Sequence, residues 1–151
     1  MSVRNPIADK QTFNEYFEDY EVRPEFSKVY VSLWPGWLGQ DKLHLLDEVG
    51  EEEWSRFNSW VSAISRDFRL GIASCSTGTV EFPDEIESHL SEYQVSMGKD
   101  ASQFSKFIIP ELNCVITEEW DYTYIIWHKN DGAVDALKPY VLSSSLYHFS
   151  D

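Results

Sequence analysis

Apolar residues recur at threes and fours in two stretches of the chain. From Glu51 to about Arg69 they fall at Trp54, Phe57, Val61, Ile64 and Phe68, with Trp60 on the flank. This spacing predicts an amphipathic helix with one buried stripe. Glu51, Glu52 and Glu53 occupy its first turn, and Arg66 and Arg69 lie near its last, so both ends complement the helix dipole; Gly71 is placed to end it. Residues Thr12 to Val22 carry Phe13, Tyr16, Phe17 and Tyr20 at the same spacing, opened by a Thr12/Glu15 capping box and stopped by Pro24.

Elsewhere the period is two. Ser27 to Leu33 sets Val29, Val31 and Leu33 against Lys28, Tyr30 and Ser32, the pattern of a strand with one buried face. In the "WPGW" that follows, Pro35 and Gly36 suit the centre of a type II turn. Leu70 to Cys75 predicts a strand leading into the "STGT" turn. Cys114–Thr117 and Tyr122–Trp127 predict a hairpin around the segment "EEWD", residues 118–121.

Caps and breakers predict three further helices. Asp84 with Glu87 opens one through about Tyr93, and Asp100 with Gln103 opens another through "ASQFSKFII", with Pro110 near its end. A short helix from about Val134 to Lys138 follows a "KNDG" turn and stops at Pro139. "LGQDKLHLLDEVG" suits either a strand with its loop or a short helix, and "SLYHF" either a last edge strand or an ordered tail. The order of elements lacks the regular alternation of a doubly wound sheet. The expected class is therefore α+β, one globular domain over residues 1–151, with a mainly antiparallel sheet of about four or five strands and helices packed chiefly on one face.

Charge narrows the functional classes. Twelve Lys and Arg face 26 Asp and Glu, a formal net charge of −14. A field of that sign repels nucleic acid and anionic membrane surfaces and speeds encounter with basic partners. The expected partner is thus a basic protein, with no nucleic acid and no membrane. Cys75 and Cys114 form neither a CxxC pair nor a disulfide framework and read as reduced thiols in apolar runs. The N-terminus lacks a secretory pattern, and no apolar run approaches the eighteen or so residues of a membrane span, so a cytoplasmic location is expected.

Candidate chemistry is concentrated in two aromatic segments. In "EEWD", the carboxylates Glu118, Glu119 and Asp121 surround Trp120. Three carboxylates in four residues can face solvent, hold a cation or act as a general base, but a turn supplies too few ligands and the calcium-loop spacing is absent. An indole ringed by charge has the anatomy of an interface anchor. In "LWPGWLG", Trp34 and Trp37 bracket a turn and can either sandwich a ligand or fold over the core. These six residues are the candidate binding set, and no metal or cofactor is expected.

The catalytic readings are thinner. Asp121 and His128 bracket one strand at odd separation and so point to opposite faces, which removes them as a direct pair. His44 has Asp47 and Glu48 at helical spacing, His89 lies in an acidic segment, and His148 meets His128 only if the tail strand brings it there. Cys75 in "SCSTG" matches neither a nucleophile elbow nor a phosphate loop. The balance favours a non-catalytic acidic binding module, of the kind that inhibits or confers immunity to a basic toxin or enzyme. The alternative is a small hydrolase using Glu118, Glu119 or Asp121 with His128 or His148. A DNA-mimicking protein ranks last, because the carboxylates are dispersed over caps and turns.

Overall fold

The computed structural model describes residues 10–90, 93–98, 100 and 103–150. Helix α1 (Lys10–Tyr16) leads into a ribbon of β1 (Phe17–Glu18) and β2 (Glu21–Val22). β3 (Ser27–Ser32), a 3-10 helix (Gln40–Glu48), α2 (Glu51–Asp67), β4 (Gly71–Ser74) and β5 (Thr79–Glu81) follow. A 3-10 turn (Glu87–His89), α3 (Tyr93–Met97), β6 (Lys106–Ile109) and a second turn (Pro110–Leu112) come next. The chain continues with β7 (Cys114–Glu118), β8 (Thr123–His128), α4 (Asp131–Ser143) and β9 (Tyr147–Phe149). Seven strands pair antiparallel in the order β5-β4-β6-β7-β8-β3-β9.

The class is α+β, and the sheet is larger than the four or five strands predicted. One added strand, β6, lies where Asp100 and Gln103 predict a helix. The cap itself forms: Asp100 N–H donates to Gln103 Oε1 at 3.0 Å, and Gln103 N–H donates to Asp100 O at 2.9 Å. It is not propagated, because Phe107, Ile108 and Ile109 are all buried and a central strand covers both of its faces. The other added strand is β5, which turns back from β4 through Gly78 at φ 68°.

Other boundaries shift for identifiable reasons. The first helix ends at Tyr16, and its predicted second half becomes the β1–β2 ribbon, whose turn residues Asp19 and Tyr20 both have positive φ. Of the helix predicted from Asp84 to about Tyr93, residues 84–90 form only the 3-10 turn at Glu87–His89, and residues 91 and 92 lie outside the described residues. α2 stops at Asp67 with Phe68 extended, four residues before Gly71. Gly71 instead opens β4 at a close approach, where a Cβ would lie 2.6 Å from Val80 Cγ1. Gly36 has no positive φ, so "WPGW" is not a type II turn. α4 starts earlier and runs through Pro139; Asn130, predicted within a turn, caps it by accepting from Ala133 N–H at 3.1 Å. The buried stripe Val134, Leu137 and Val141 continues past the proline and carries the helix with it.

The two faces of the sheet are covered differently. Val29, Val31, Phe107, Ile109, Cys114, Ile116, Tyr124 and Ile126 face α2 and α4, which contribute Trp54, Phe57, Trp60, Val61, Ile64, Leu137 and Val141. Tyr124 is the hub, stacked on Phe57 at 4.8 Å and edge-on to Trp60 at 5.8 Å. On the opposite face, α1 and the ribbon bring Phe13, Tyr16 and Phe17 over Ala73, Val80, Ile108 and Val115, with Trp127 at the margin. Helices thus cover both faces, with the two longest on one. Beyond Trp127, among the described residues, the segment between β3 and α2 lies over the second face. Among the described residues, no helix is long and apolar enough to cross a membrane.

Candidate functional site

Strand register lays out the floor of that region. Thr117, Ile125, Tyr30 and Phe149 form one row across β7, β8, β3 and β9, and Thr123, Ser32 and Tyr147 form the next. Leaving β3, the chain folds back over this floor. Trp37 lies edge-on to Tyr30 at 4.7 Å and to Phe149 at 5.0 Å, and the 3-10 helix adds Leu43 and Leu46. Glu119, Trp120 and Asp121 of the β7–β8 turn form the facing lip. The result is a groove of about 330 Å³ bounded by Trp34, Trp37 and Trp120.

Two contacts hold the lips together. The buried Ser32 hydroxyl donates to Tyr122 O at 3.2 Å and accepts from Trp34 N–H at 3.4 Å. The Trp34 ring packs edge-on against Tyr122 at 6.3 Å, and Tyr122 in turn touches Trp54 of α2 at 6.3 Å. Burial pushes the Tyr122 hydroxyl up to about 12, so the ring stays neutral. Asp121 and Tyr122 both adopt the left-handed region, at φ 58° and 57°, a conformation L-residues adopt at a cost. That turn aims Trp120 outward: 61% of its surface is exposed although its ring meets Phe104 edge-on at 4.8 Å. Trp37 is 57% exposed. Trp34 is half-buried, as is Trp127 outside the groove.

The three carboxylates of the turn occupy three different settings. Glu118 alternates onto the α2 face beside Tyr124, is buried, and accepts from Ser105 N–H at 2.9 Å. It is a structural group and does not line the groove. Glu119 lies on the groove side and is oriented by a relay from the sheet. Trp127 Nε1 donates to Thr117 Oγ1 at 2.9 Å, and Thr117 Oγ1 donates to Glu119 Oε2 at 2.7 Å. Asp121 sits exposed at the tip of the lip. Among the described residues, no Lys, Arg or His side chain forms an ion pair with Glu119 or Asp121.

The structure does not assemble the predicted acid–base groups. His128 is buried at the far end of β8 from the turn, with Nδ1 3.1 Å from Asn130 O. His148 pairs with Val31 while His128 pairs with Ser27, four positions away along β3, so the two histidines do not meet. His44 Nε2 lies 3.9 Å from Glu48 Oε2 on an exposed face. Cys75 lines a second, more polar hollow of about 310 Å³ where β4 and β6 diverge. Burial raises its thiol against the pull of Lys106, and Sγ is 3.6 Å from Tyr20 O, so it is held as a thiol. Burial pushes Cys114 up to about 12. Among the described residues, no group of three or more His, Cys, Asp or Glu is placed to hold a metal ion.

Sequence reading named the lips of the groove but not its floor. The alternation of β3 sets Tyr30 and Ser32 opposite its buried face, and the hairpin pattern marks Thr123 only as a residue of a strand expected to be covered on both sides. Thr117 carried a usable signal, since it lies two residues before Glu119 and shares its face wherever the strand continues. Comparison with known protein families, with curated proteins and with solved structures finds no match for this chain, so the reading of the groove rests on its own geometry.

Proposed function

We propose that this chain is a non-catalytic binding module for a basic protein, acting as an inhibitor or immunity-type protein that neutralises a basic toxin or enzyme. The observation that supports it most directly is the meeting, in one groove, of two tryptophan-bearing segments far apart in sequence, with Glu119 and Asp121 on one lip. Exposed tryptophans over an apolar floor provide anchors that gain from desolvation, and the carboxylates provide charge complementary to Lys and Arg. The net charge of −14 steers a basic partner towards the groove and weakens self-association through the same face. The hydrolase alternative has no comparable geometry behind it, because its carboxylates and histidines lie apart.

The test compares the full chain with a W37A/W120A double variant in capture from the native host, followed by binding measurements on each captured protein. The expected partner is basic, dissociates as salt is raised, and binds the double variant at least about tenfold more weakly, the scale of one interface anchor. Capture of only neutral or acidic partners, or equal affinity for both forms, would refute the proposal.

A further inference from the structure

We infer that the groove is a clamp for a single arginine side chain, its guanidinium paired with Glu119 and its plane against the indoles that line the walls. This rests on the basic-partner reading and narrows it to one chemistry. Four features of the site carry the inference.

The first is size. At about 330 Å³ the groove is at the small end of ligand pockets, so it suits one or two side chains of a partner and not a folded element. The second is charge. Glu119 and Asp121 stand at one lip of an otherwise uncharged lining and make no ion pair with the described residues. A cationic side chain meets that need, whereas an anionic or neutral one leaves both carboxylates partly desolvated without compensation.

The third is preorganisation. Trp127 and Thr117 fix one oxygen of Glu119, so the carboxylate faces the groove before anything binds. Holding it in place reduces the ordering cost that ordinarily weakens exposed ion pairs. Among the described residues Oε1 accepts no hydrogen bond, and Oε2 retains acceptor capacity beside the Thr117 bond, which suits a two-pronged donor. The fourth feature is the set of walls. Trp34, Trp37, Trp120 and Tyr30 offer flat aromatic surfaces. A guanidinium stacks on such surfaces, is weakly hydrated and presents a planar fork of donors; a lysine ammonium is compact, strongly hydrated and cannot match a carboxylate in two places. The geometry therefore selects arginine over lysine by shape and hydration at equal charge.

Thr117 is a positioning residue in this scheme: it touches Glu119 and not the guanidinium. Its contribution is the orientation of the carboxylate, so its loss reduces discrimination between Arg and Lys as well as affinity.

The experiment titrates the 151-residue chain with capped Gly-Arg-Gly, Gly-Lys-Gly and Gly-citrulline-Gly tripeptides at low salt, read by tryptophan fluorescence and calorimetry. Citrulline keeps the planar shape and removes the charge. Saturable binding of the arginine peptide is expected, about tenfold tighter than lysine and more than tenfold tighter than citrulline, on the scale of one charged bidentate pair. E119Q abolishes the preference for arginine over lysine. T117V reduces that preference in protein whose circular dichroism and melting curve show it to be folded. Equal binding of arginine and lysine overturns the inference, as does equal binding of citrulline, an unchanged preference in E119Q, or no saturable binding of any peptide. These results leave the basic-partner reading to its own criterion, since a partner that needs Trp37 and Trp120 can still be captured by lysines or by a broader surface.

Discussion

The dipeptide Asp-Tyr closes two different turns, and in both each residue has positive φ: Asp19 and Tyr20 at 52° and 68°, Asp121 and Tyr122 at 58° and 57°. A left-handed residue other than glycine costs about 1–2 kcal/mol, so Tyr→Gly relieves the same backbone penalty at both sites. Glycine in turn adds about 0.5–1 kcal/mol of chain entropy to be lost on folding. The backbone terms together favour each substitution by roughly 0.5–1 kcal/mol. The side chains then decide the sign. Tyr20 is 76% exposed, and its contact with Cys75 runs through its carbonyl, which glycine keeps. Tyr122 packs edge-on against Trp34 and Trp54, and its hydroxyl meets Met97 Sδ at 3.5 Å. Removing such a half-buried ring costs about 2–3 kcal/mol, some way below the 3–5 kcal/mol of a fully buried aromatic.

Y20G is therefore expected to stabilise by roughly 0.5–1 kcal/mol, and Y122G to destabilise by about 1–2.5 kcal/mol after the backbone gain. In a chain of this length these are shifts in Tm of about 2–4 °C upward and two to three times that downward. Urea unfolding monitored by tryptophan fluorescence gives both free energies, and an unchanged m-value confirms that stability and not compactness has changed. Y122G also releases the Trp34 wall, so it is the only one of the two expected to weaken binding at the groove. If both variants move stability in the same direction, the division into a free turn and a packed turn is wrong. If Y20G destabilises by more than about 1 kcal/mol, the assigned backbone cost is wrong.

Two other consequences can be measured separately. G71A places a Cβ 2.6 Å from Val80 Cγ1 and 2.7 Å from the Phe82 ring, and so should destabilise by about 1–3 kcal/mol through overpacking; denaturant unfolding that matches the wild type would show that β4 and β5 are not in close contact there. Burial, and then Lys138, lower His148 below its ordinary 6.5, so its contribution is complete above that value and is lost as the pH falls through the lower folded value. The wild type should therefore lose more Tm than H148Q between neutral and mildly acidic pH, and parallel melting curves would remove His148 as a source of acid sensitivity.

The elements readable from the sequence are those in which local pattern and tertiary packing agree. α2 carries its stripe, its acidic first turn and a cap in which Glu53 Oε1 accepts from Gly50 N–H at 2.8 Å, so the sequence reading misses its end by only two residues. β6 shows the opposite case. A helix cap is worth about 1 kcal/mol, whereas burying each of Phe107, Ile108 and Ile109 is worth about 1.5–3 kcal/mol, and a strand covered on both sides buries all three. The same comparison explains α4: an interior proline costs about 3 kcal/mol, which burial of Val141 in α4 and Leu146 beyond it offsets. Local signals of about 1 kcal/mol misled wherever a larger burial term opposed them.

The site divides along a different line. The length of β8 separates Asp121, in the turn before it, from His128 at its far end, and alternation assigns Glu118 to the α2 face and Glu119 to the groove once β7 is extended by one residue and Glu119 follows it, its N–H donating to Thr123 O at 2.8 Å. Pairing between strands was not accessible, because Tyr30 meets Ile125 and Phe149 only through the order β8-β3-β9. The proximity of "WPGW" to "EEWD" follows from that order: β3 and β8 are neighbours running antiparallel, so the end of one and the start of the other lie side by side at Ser32 and Thr123. Each segment taken alone is an aromatic turn with an ordinary structural explanation. Placed side by side over a strand row that no α-helix covers among the described residues, they leave Trp37 and Trp120 exposed and a fixed carboxylate without a counter-charge among those residues. It is on that combination that the proposed binding surface rests.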